Sequence, residues 1–296
     1  MNLESYLAER RATVEAALEQ ALRPNESTPP RLLEAMRYAV LSGGKRVRPI
    51  LALAACEAVP AAPELALPFG CAIELVHAYS LVHDDLPAMD DDELRRGRPT
   101  VHVVYGEALA ILAGDALLTE AFRVAAEGAQ RVGVDPTRAL ELIGTIAVAA
   151  GAGGMVGGQV ADLEAEGVAA DRAVVESIHE RKTAALIAAA VDAGAVAGNA
   201  AGPRRAALAD YGRALGLAFQ IADDILDATA PTSVTGKRVG GDAAHGKATY
   251  PAVLGLDGAR RVARELLERC YAATDVLGVP AAPLRAIATF VVERAC

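Results

Sequence analysis

Apolar residues recur with helical spacing along almost the whole chain, and this feature limits the fold more than any other. They repeat at intervals of three and four residues, which is typical of amphipathic helices. The nearest approach to a strand pattern is Val101–Tyr105, which is too short to carry a sheet. We therefore predict an all-α fold. The expected helices are about Leu3–Leu22, Pro30–Leu41, Ile50–Val59, Glu64–Leu86, Glu107–Gln130, Thr137–Glu164, Asp171–Asn199, Pro203–Ala228, Val262–Tyr271 and Ala282–Arg294.

No low-complexity linker divides the 296 residues, so we expect a single domain over 1–296, a bundle of about ten or more helices. Aromatic residues make up only 4% and Trp is absent, so small aliphatic side chains have to form a closely packed core. The stretch Leu142–Ala161 carries no charge and is long enough to span a membrane. Because glycines interrupt it, we interpret it as a buried core helix and expect no stable membrane insertion.

The charge balance excludes one class of partner. The net charge is −9, which argues against nucleic acid as the main ligand. An anionic substrate would have to be met by a local group of cations. Lysine is rare here, and its few positions are candidates for compact point charges; they are Lys45, Lys182, Lys237 and Lys247.

The cysteines and the first residues predict a cytoplasmic location. No C-x-x-C spacing occurs, so the cysteines fit buried thiols in a reducing compartment. They are Cys56, Cys71, Cys270 and Cys296. The N-terminal segment carries acidic residues and lacks the apolar region of a signal peptide.

Two acidic clusters in separate halves of the chain carry the strongest chemical signal. Each follows apolar helical sequence, whereas a solvated acidic face should have polar neighbours. Asp223 and Asp227 are four residues apart, so they share one helix face. Asp84 and Asp90 would point to different faces of a straight helix, but Pro87 lets the chain turn back so that Asp90 rejoins Asp84.

These clusters predict a divalent metal site. Carboxylate oxygens without His or Cys suit Mg²⁺, which completes its shell with water and substrate phosphate.

Cations lie beside the clusters. Gly43–Pro49 is a glycine turn that leads into the start of a helix, and such a turn would suit a phosphate. Other cations are Arg95, Arg96, Arg98, Lys182, Lys237 and Lys247. Two acidic and two cationic groups predict two polyphosphates, one bound through Mg²⁺ and one bound directly.

At these motifs the chain resembles the short-chain polyprenyl diphosphate synthases, and among them most closely the bacterial farnesyl diphosphate synthases. The matching stretches are His83–Asp92 with Leu94–Gly97, and Phe219–Asp227. The similarity runs from Gly43 to Pro251. The resemblance implies an all-α homodimer of the isoprenoid synthase type, built around a central cavity. It implies a Mg²⁺-dependent condensation of isopentenyl diphosphate with dimethylallyl and geranyl diphosphates, with three Mg²⁺ in each active site.

The resemblance also implies roles for single residues. Metal binding is expected at Asp84, Asp90, Asp223 and Asp227. Catalytic roles are expected at Asp84, Asp85, Asp90, Lys182, Asp223, Asp224 and Lys237. Substrate binding is expected at Gly44, Lys45, Arg48, His77, Arg95, Arg96, Thr183, Gln220 and Lys247. The chain departs from the usual His-Lys-Thr-Gly motif of the family, because Arg181 and Ala184 take the outer positions.

Product length is expected to depend on Tyr79 and Ser80. The allylic chain is anchored at Asp84, and Tyr79 lies five residues earlier, roughly 7–8 Å back along the helix. A ring there could form a floor under a three-isoprene chain, and a bulky residue at this place resembles the bacterial C15 enzymes. The alternative is an ordinary core tyrosine.

The sequence leaves three further functions open. One is the same reaction with a C20 product. Another is a non-catalytic partner subunit, although such a subunit would be expected to lose carboxylates from one motif. A terpene cyclase is a weaker candidate, because it would lack the site that Lys45 and Arg48 provide for a second diphosphate.

Overall fold

The computed structural model describes residues 1–168, 170–229 and 247–294, and helices dominate these ranges. The helices are α1 (Leu3–Ala21), α2 (Pro30–Leu41), α3 (Val47–Glu57), α4 (Leu67–Asp84), α5 (Val101–Tyr105), α6 (Glu107–Val132), α7 (Pro136–Ala150), α8 (Met155–Ala165), α9 (Arg172–His179), α10 (Ala185–Ala197), α11 (Gly202–Thr229), α12 (Tyr250–Leu277) and α13 (Ala282–Glu293). Between α4 and α5 a small hairpin pairs β1 (Leu94–Arg95) with β2 (Arg98–Pro99). The predicted all-α fold of about ten or more helices is confirmed.

Local sequence explains where many of these helices begin and end. Asp135 caps α7, because its side chain accepts hydrogen bonds from the backbone N–H groups of Thr137 and Arg138. Pro136 takes the first helical position, where its missing N–H is no loss. Gly133 ends α6 in a left-handed conformation that suits glycine.

Helix α4 lies in the core and packs against α3 and α6. Its buried residues include Phe69, Ile73 and Leu75. Helices α3 and α10 approach closely at Gly194, where an added Cβ would lie 2.2 Å from the carbonyl oxygen of Ala52. The abundance of small residues therefore has the predicted consequence of close helix packing.

The uncharged stretch in the middle of the chain differs from the prediction. It is two helices, α7 and α8, separated at Gly151–Gly154. By length and hydropathy, 136–165 is the one stretch of the described chain that could cross a membrane, but only 39% of its most apolar window is buried. The prediction of a buried core helix is wrong here, because the glycines divide the stretch into two helices and residues such as Val148, which is 73% exposed, lie at the surface of the chain.

Two other segments differ in their boundaries. The last long helix begins at Tyr250 rather than Val262, and it bends at Gly255, which has a positive φ of 69°. Val101–Tyr105 forms the short helix α5. The strand pairing of the described chain lies on either side of Gly97, between β1 and β2. The positive φ of Gly97, 74°, permits this tight hairpin.

Candidate active site

The first acidic cluster begins where α4 ends. The backbone N–H of Asp90 donates to the carbonyl oxygen of Asp84 at 2.9 Å, so the chain turns back after Pro87 as predicted. Asp84 is half-buried, and its carboxylate has no hydrogen-bond or ion-pair partner among the described residues. Burial raises the pKa of Asp84 to about 6. A carboxylate desolvated in this way is poised to be stabilised by a cation.

Asp85 has a different environment from its neighbour. Only 3% of Asp85 is exposed, and the Arg95 Nε donates to its carboxylate at 2.6 Å. The hairpin that carries Arg95 is thereby fixed to the end of α4. Of the adjacent acids, Asp84 is the one left available for a ligand.

A contact across the sequence joins the second half of the chain to this cluster. The Lys247 Nζ lies 3.3 Å from the Asp90 carboxylate, just before α12 begins. Lys182 also belongs here, because its charge lowers the pKa of Asp84 against the larger effect of burial. The Nζ of Lys182 donates to the Asp162 carboxylate at 2.6 Å.

Lys182 and Thr183 lie on a π-helical turn, Glu180–Ala184, between α9 and α10. Turns of this kind occur frequently at functional sites. Two glycines allow neighbouring helices to reach the turn: an added Cβ would lie 2.3 Å from the Lys182 backbone nitrogen at Gly158 and 2.7 Å from the Ala184 Cα at Gly216. Ala184, one of the departures from the family motif, therefore packs directly against a residue without a side chain.

The second acidic cluster lies near the end of α11, and its members face different ways. Asp223 is exposed and forms an ion pair of 3.2 Å with Arg294. Asp227 is half-buried on the same face. Asp224 is only 3% exposed and accepts hydrogen bonds from Gln220 Nε2 at 2.9 Å and from the Tyr250 backbone N–H at 3.0 Å.

His179 lies beside Asp224 at the end of α9. Its Nε2 is 3.5 Å from the Asp224 carboxylate. Burial lowers the pKa of His179 to about 4, so the ring is neutral at pH 7. Sequence reasoning did not single out His179, because a lone His on an apolar helix carries no distinctive pattern.

The glycine turn before α3 is held in an unusual conformation. Gly43 and Gly44 have positive φ values of 98° and 149°, and Arg46 is left-handed at 51°. Arg46 is buried, pairs with Glu74 of α4 at 3.0 Å and donates to the Val40 carbonyl oxygen at 2.6 Å. The first contact fixes the turn to α4, one helical turn before His77, and the second fixes it to the end of α2.

Further cations complete the surroundings of that turn. Arg96 donates to the carbonyl oxygen of Gly43. The pKa of Lys45 is lowered by desolvation and by Arg294, whereas Asp223 opposes the change. Lys45 is therefore within electrostatic range of Arg294 and Asp223 of the second acidic cluster. Arg294 was missed by sequence reasoning, since nothing in the sequence near the chain end indicates a site.

The remaining predicted residues lie on α3 and α4. Arg48 and His77 are half-buried. Desolvation, followed by the charge of Arg48, holds the pKa of His77 well below its usual range, so the ring is neutral.

Tyr79 is 7% exposed and packs edge-on against His83 with ring centroids 5.7 Å apart. Ser80 donates to the His77 carbonyl oxygen at 2.9 Å. Lys237 lies outside the described residues.

The residues present fit Mg²⁺ bound by few protein ligands. Within the described ranges, no three acidic, His or Cys side chains converge on one point. Asp84, a half-buried carboxylate for which the described residues supply no hydrogen-bond or ion-pair partner, nevertheless lies beside Asp90, and both offer only oxygen. Mg²⁺ suits such a site, because it keeps several waters and is completed by substrate phosphates.

Known proteins with similar sequences and structures agree with this geometry. A family model described as polyprenyl synthetase matches residues 29–278. The chain is 46% identical to a farnesyl diphosphate synthase from Geobacillus stearothermophilus over 260 residues, covering 88% of this chain and 87% of the relative. It is 42% identical to the chloroplastic heterodimeric geranylgeranyl pyrophosphate synthase large subunit 1 of Arabidopsis thaliana over 296 residues, covering 98% of this chain and 79% of that protein.

A solved structure has the same fold. The apo crystal structure of an FPP/GFPP synthase from Zymomonas mobilis superposes with a TM-score of 0.87 at 41% identity, covering 98% of this chain and 99% of that one.

Proposed function

The chain belongs to the polyprenyl synthetase family and is a short-chain prenyltransferase, and from this premise we propose that it makes farnesyl diphosphate. It condenses isopentenyl diphosphate with dimethylallyl diphosphate and then with geranyl diphosphate. Enzymes of this family use Mg²⁺. The proposal rests above all on one observation: Asp84 is a desolvated carboxylate without a hydrogen-bond or ion-pair partner in the described part of the chain, beside Asp90 and near Lys182.

The allylic diphosphate lies, in this proposal, between the two acidic clusters. Asp84, Asp90, Asp223 and Asp227 would hold Mg²⁺, with three ions expected. The bound metal would neutralise the departing diphosphate and so favour ionisation of the allylic substrate. Lys182, Thr183, Gln220, Arg95, Lys237 and Lys247 bind and orient the same diphosphate. Asp85 contributes by fixing Arg95, with which it pairs at 2.6 Å.

Isopentenyl diphosphate occupies the glycine turn before α3. The backbone at Gly44, together with Lys45, Arg48 and Arg96, supplies donors for its phosphates. His77 is neutral, so its ring donates one hydrogen bond. The alkene then attacks the allylic cation, and the departing diphosphate takes the proton that is lost, since no general base is evident among the described residues.

The C15 product follows from Tyr79, a buried ring one and a half turns before Asp84 on α4. Ser80, a small residue beside it, leaves room for the prenyl chain above this floor. A C20 product is the alternative candidate, because a similar plant protein is named a geranylgeranyl pyrophosphate synthase subunit.

We propose a homodimer, because apolar side chains are exposed on consecutive helices. Ile111 and Leu112 of α6 are 45% and 55% exposed, Val148 of α7 is 73% exposed, and Val156 and Val160 of α8 are 44% and 50% exposed. Such a patch is unusual on a monomer and typical of an interaction surface. A second copy would cover it.

In this proposal residues 1–296 form a single domain, and the protein functions in the cytoplasm. The thiols of Cys56, Cys71 and Cys270 are free and buried, as suits a reducing compartment. Cys296 lies outside the described residues.

The decisive experiment is incubation with isopentenyl diphosphate, Mg²⁺ and either dimethylallyl or geranyl diphosphate, with the products sized by chromatography. We expect farnesyl diphosphate from both allylic substrates and no turnover in excess EDTA. A dominant C20 product would establish the alternative. Absence of any product, despite a folded protein, would favour a non-catalytic partner subunit.

A further inference from the structure

Asp224 differs from the other acids of its cluster in being enclosed by donors from the protein. Its Oδ1 accepts from Gln220 Nε2 at 2.9 Å, and its Oδ2 accepts from the Tyr250 backbone N–H at 3.0 Å. The exposed face of α11 carries Asp223, whereas Asp224 is turned about 100° away from it around the helix and is 3% exposed. Each carboxylate oxygen of Asp224 is therefore already engaged by a donor from the protein.

The contact between Asp224 and Gln220 fixes the direction of an amide. An ionised carboxylate only accepts hydrogen bonds, so Gln220 has to present its NH₂ group to Asp224. The amide oxygen of Gln220 then faces the other way, toward Thr183. The Thr183 Oγ1 donates to this oxygen at 2.6 Å. One carboxylate thus sets the hydrogen-bond polarity of two residues at the diphosphate site.

The contact between Asp224 and Tyr250 fixes the position of a helix. Tyr250 is the first residue of α12, and its N–H is one of the groups that a helix leaves without an internal partner. Lys247 lies three residues earlier and reaches the Asp90 carboxylate at 3.3 Å. A displacement of the start of α12 would therefore move Lys247 away from the first acidic cluster.

We propose that Asp224 is a positioning residue and not a metal ligand. It orients Gln220 and Thr183 and anchors the start of α12, which places Lys247 beside Asp90. This inference rests on the proposed function, because it assigns a role at the allylic diphosphate site. It distinguishes Asp224 from its neighbour Asp223, although the two are equivalent acids in the sequence motif.

An exchange of the two functional groups tests the polarity of this hydrogen-bond chain. Gln220→Glu alone places two carboxylates in contact, and Asp224→Asn alone leaves the direction of the Gln220 amide undefined. In the double variant the two roles are reversed: the amide at position 224 donates to the carboxylate at position 220, and its oxygen still accepts from Tyr250. The carboxylate at position 220 accepts from Thr183, and the net charge of the pair is that of the parent.

The first measurement uses the metal-free and substrate-free protein. We expect each single variant to unfold at a lower urea concentration than the parent. We expect the double variant to recover most of the loss, which makes the two changes strongly non-additive. Additive losses would overturn the hydrogen-bond polarity assigned here. This result does not depend on whether the protein turns over prenyl substrates.

The second measurement separates positioning from metal binding. In Asp224→Asn we expect the half-saturating Mg²⁺ concentration to stay within about twofold of the parent, while the KM for geranyl diphosphate rises about tenfold and that for isopentenyl diphosphate hardly changes. Asp223→Asn is the matched comparison, with a Mg²⁺ requirement raised about tenfold or more. An equal rise of the Mg²⁺ requirement in Asp224→Asn would overturn the proposal. Lack of turnover by the parent itself would instead refute the proposed function.

Discussion

At the scale of single residues, Asp84 combines burial with the absence of a partner among the described side chains. Its pKa is raised to about 6 by burial, whereas an aspartate in an unfolded chain titrates near 3.9. The protonated form therefore stabilises the metal-free fold, in full below about pH 4. We expect this contribution, about 3 kcal/mol at most, to be lost as the pH rises through about 6. Urea unfolding in EDTA between pH 4 and pH 7 measures it.

The matched control for this prediction is Asp84→Asn, which keeps the shape and removes the titration. Its unfolding free energy should depend less on pH over the same range. Addition of Mg²⁺ at pH 7 should stabilise the parent more than the variant. An identical pH dependence in parent and variant would show that Asp84 is not the group responsible.

Tyr79 carries the prediction about product length. We expect Tyr79→Ala to remove the floor of the prenyl channel and to extend the product to C20 or longer, as measured by product sizing. Tyr79→Phe is the control, because it keeps the ring, and it should still make the C15 product. An active Tyr79→Ala variant that stops at C15 would mean that another residue limits the chain.

At the scale of elements, the π-helical turn Glu180–Ala184 depends on a glycine of α8. A Cβ at Gly158 would lie 2.3 Å from the Lys182 backbone nitrogen, and backbone yields little. We expect Gly158→Ala to lower the unfolding free energy by about 1–3 kcal/mol and to raise the KM for the allylic diphosphate, because Lys182 and Thr183 are displaced. Chemical denaturation and steady-state kinetics measure the two effects.

The chain offers a matched control for this change. A Cβ at Gly144 of α7 would meet nothing within 4 Å, so Gly144→Ala should stabilise the protein by about 0.5–1 kcal/mol through helix propensity. Parental stability and kinetics in Gly158→Ala would contradict the close packing of α8 on the turn.

At the scale of the whole molecule, the exposed apolar residues of α6, α7 and α8 predict self-association. We expect the parent to sediment as a dimer and Leu112→Asp to sediment largely as a monomer, because a charge would be buried in the interface. Val279→Asp changes a residue that is 89% exposed on another part of the chain and should remain dimeric. A monomeric parent, or a dimeric Leu112→Asp variant, would contradict the proposed interface.

Local sequence was sufficient for the fold class and for much of the chemistry. Helical periodicity predicts the all-α fold, because apolar residues spaced three and four apart lie on one face of a helix. Pro87 predicts the reversal that returns Asp90 to Asp84, and this reversal is present. The spacing of Asp223 and Asp227 predicts a common face, because helical geometry alone decides it.

Only the tertiary structure decided which of these groups meet and which stay available to a ligand. Lys247 and Asp90 are 157 residues apart and lie in contact, and Arg294 reaches Asp223 across 71 residues. Asp223 and Asp224 are chemically identical in the sequence, yet one is exposed and the other is enclosed by Gln220, His179 and the start of α12. The physical reason is that the local sequence pattern sets the direction of a side chain on its own helix. The packing of distant elements decides which groups contact that side chain.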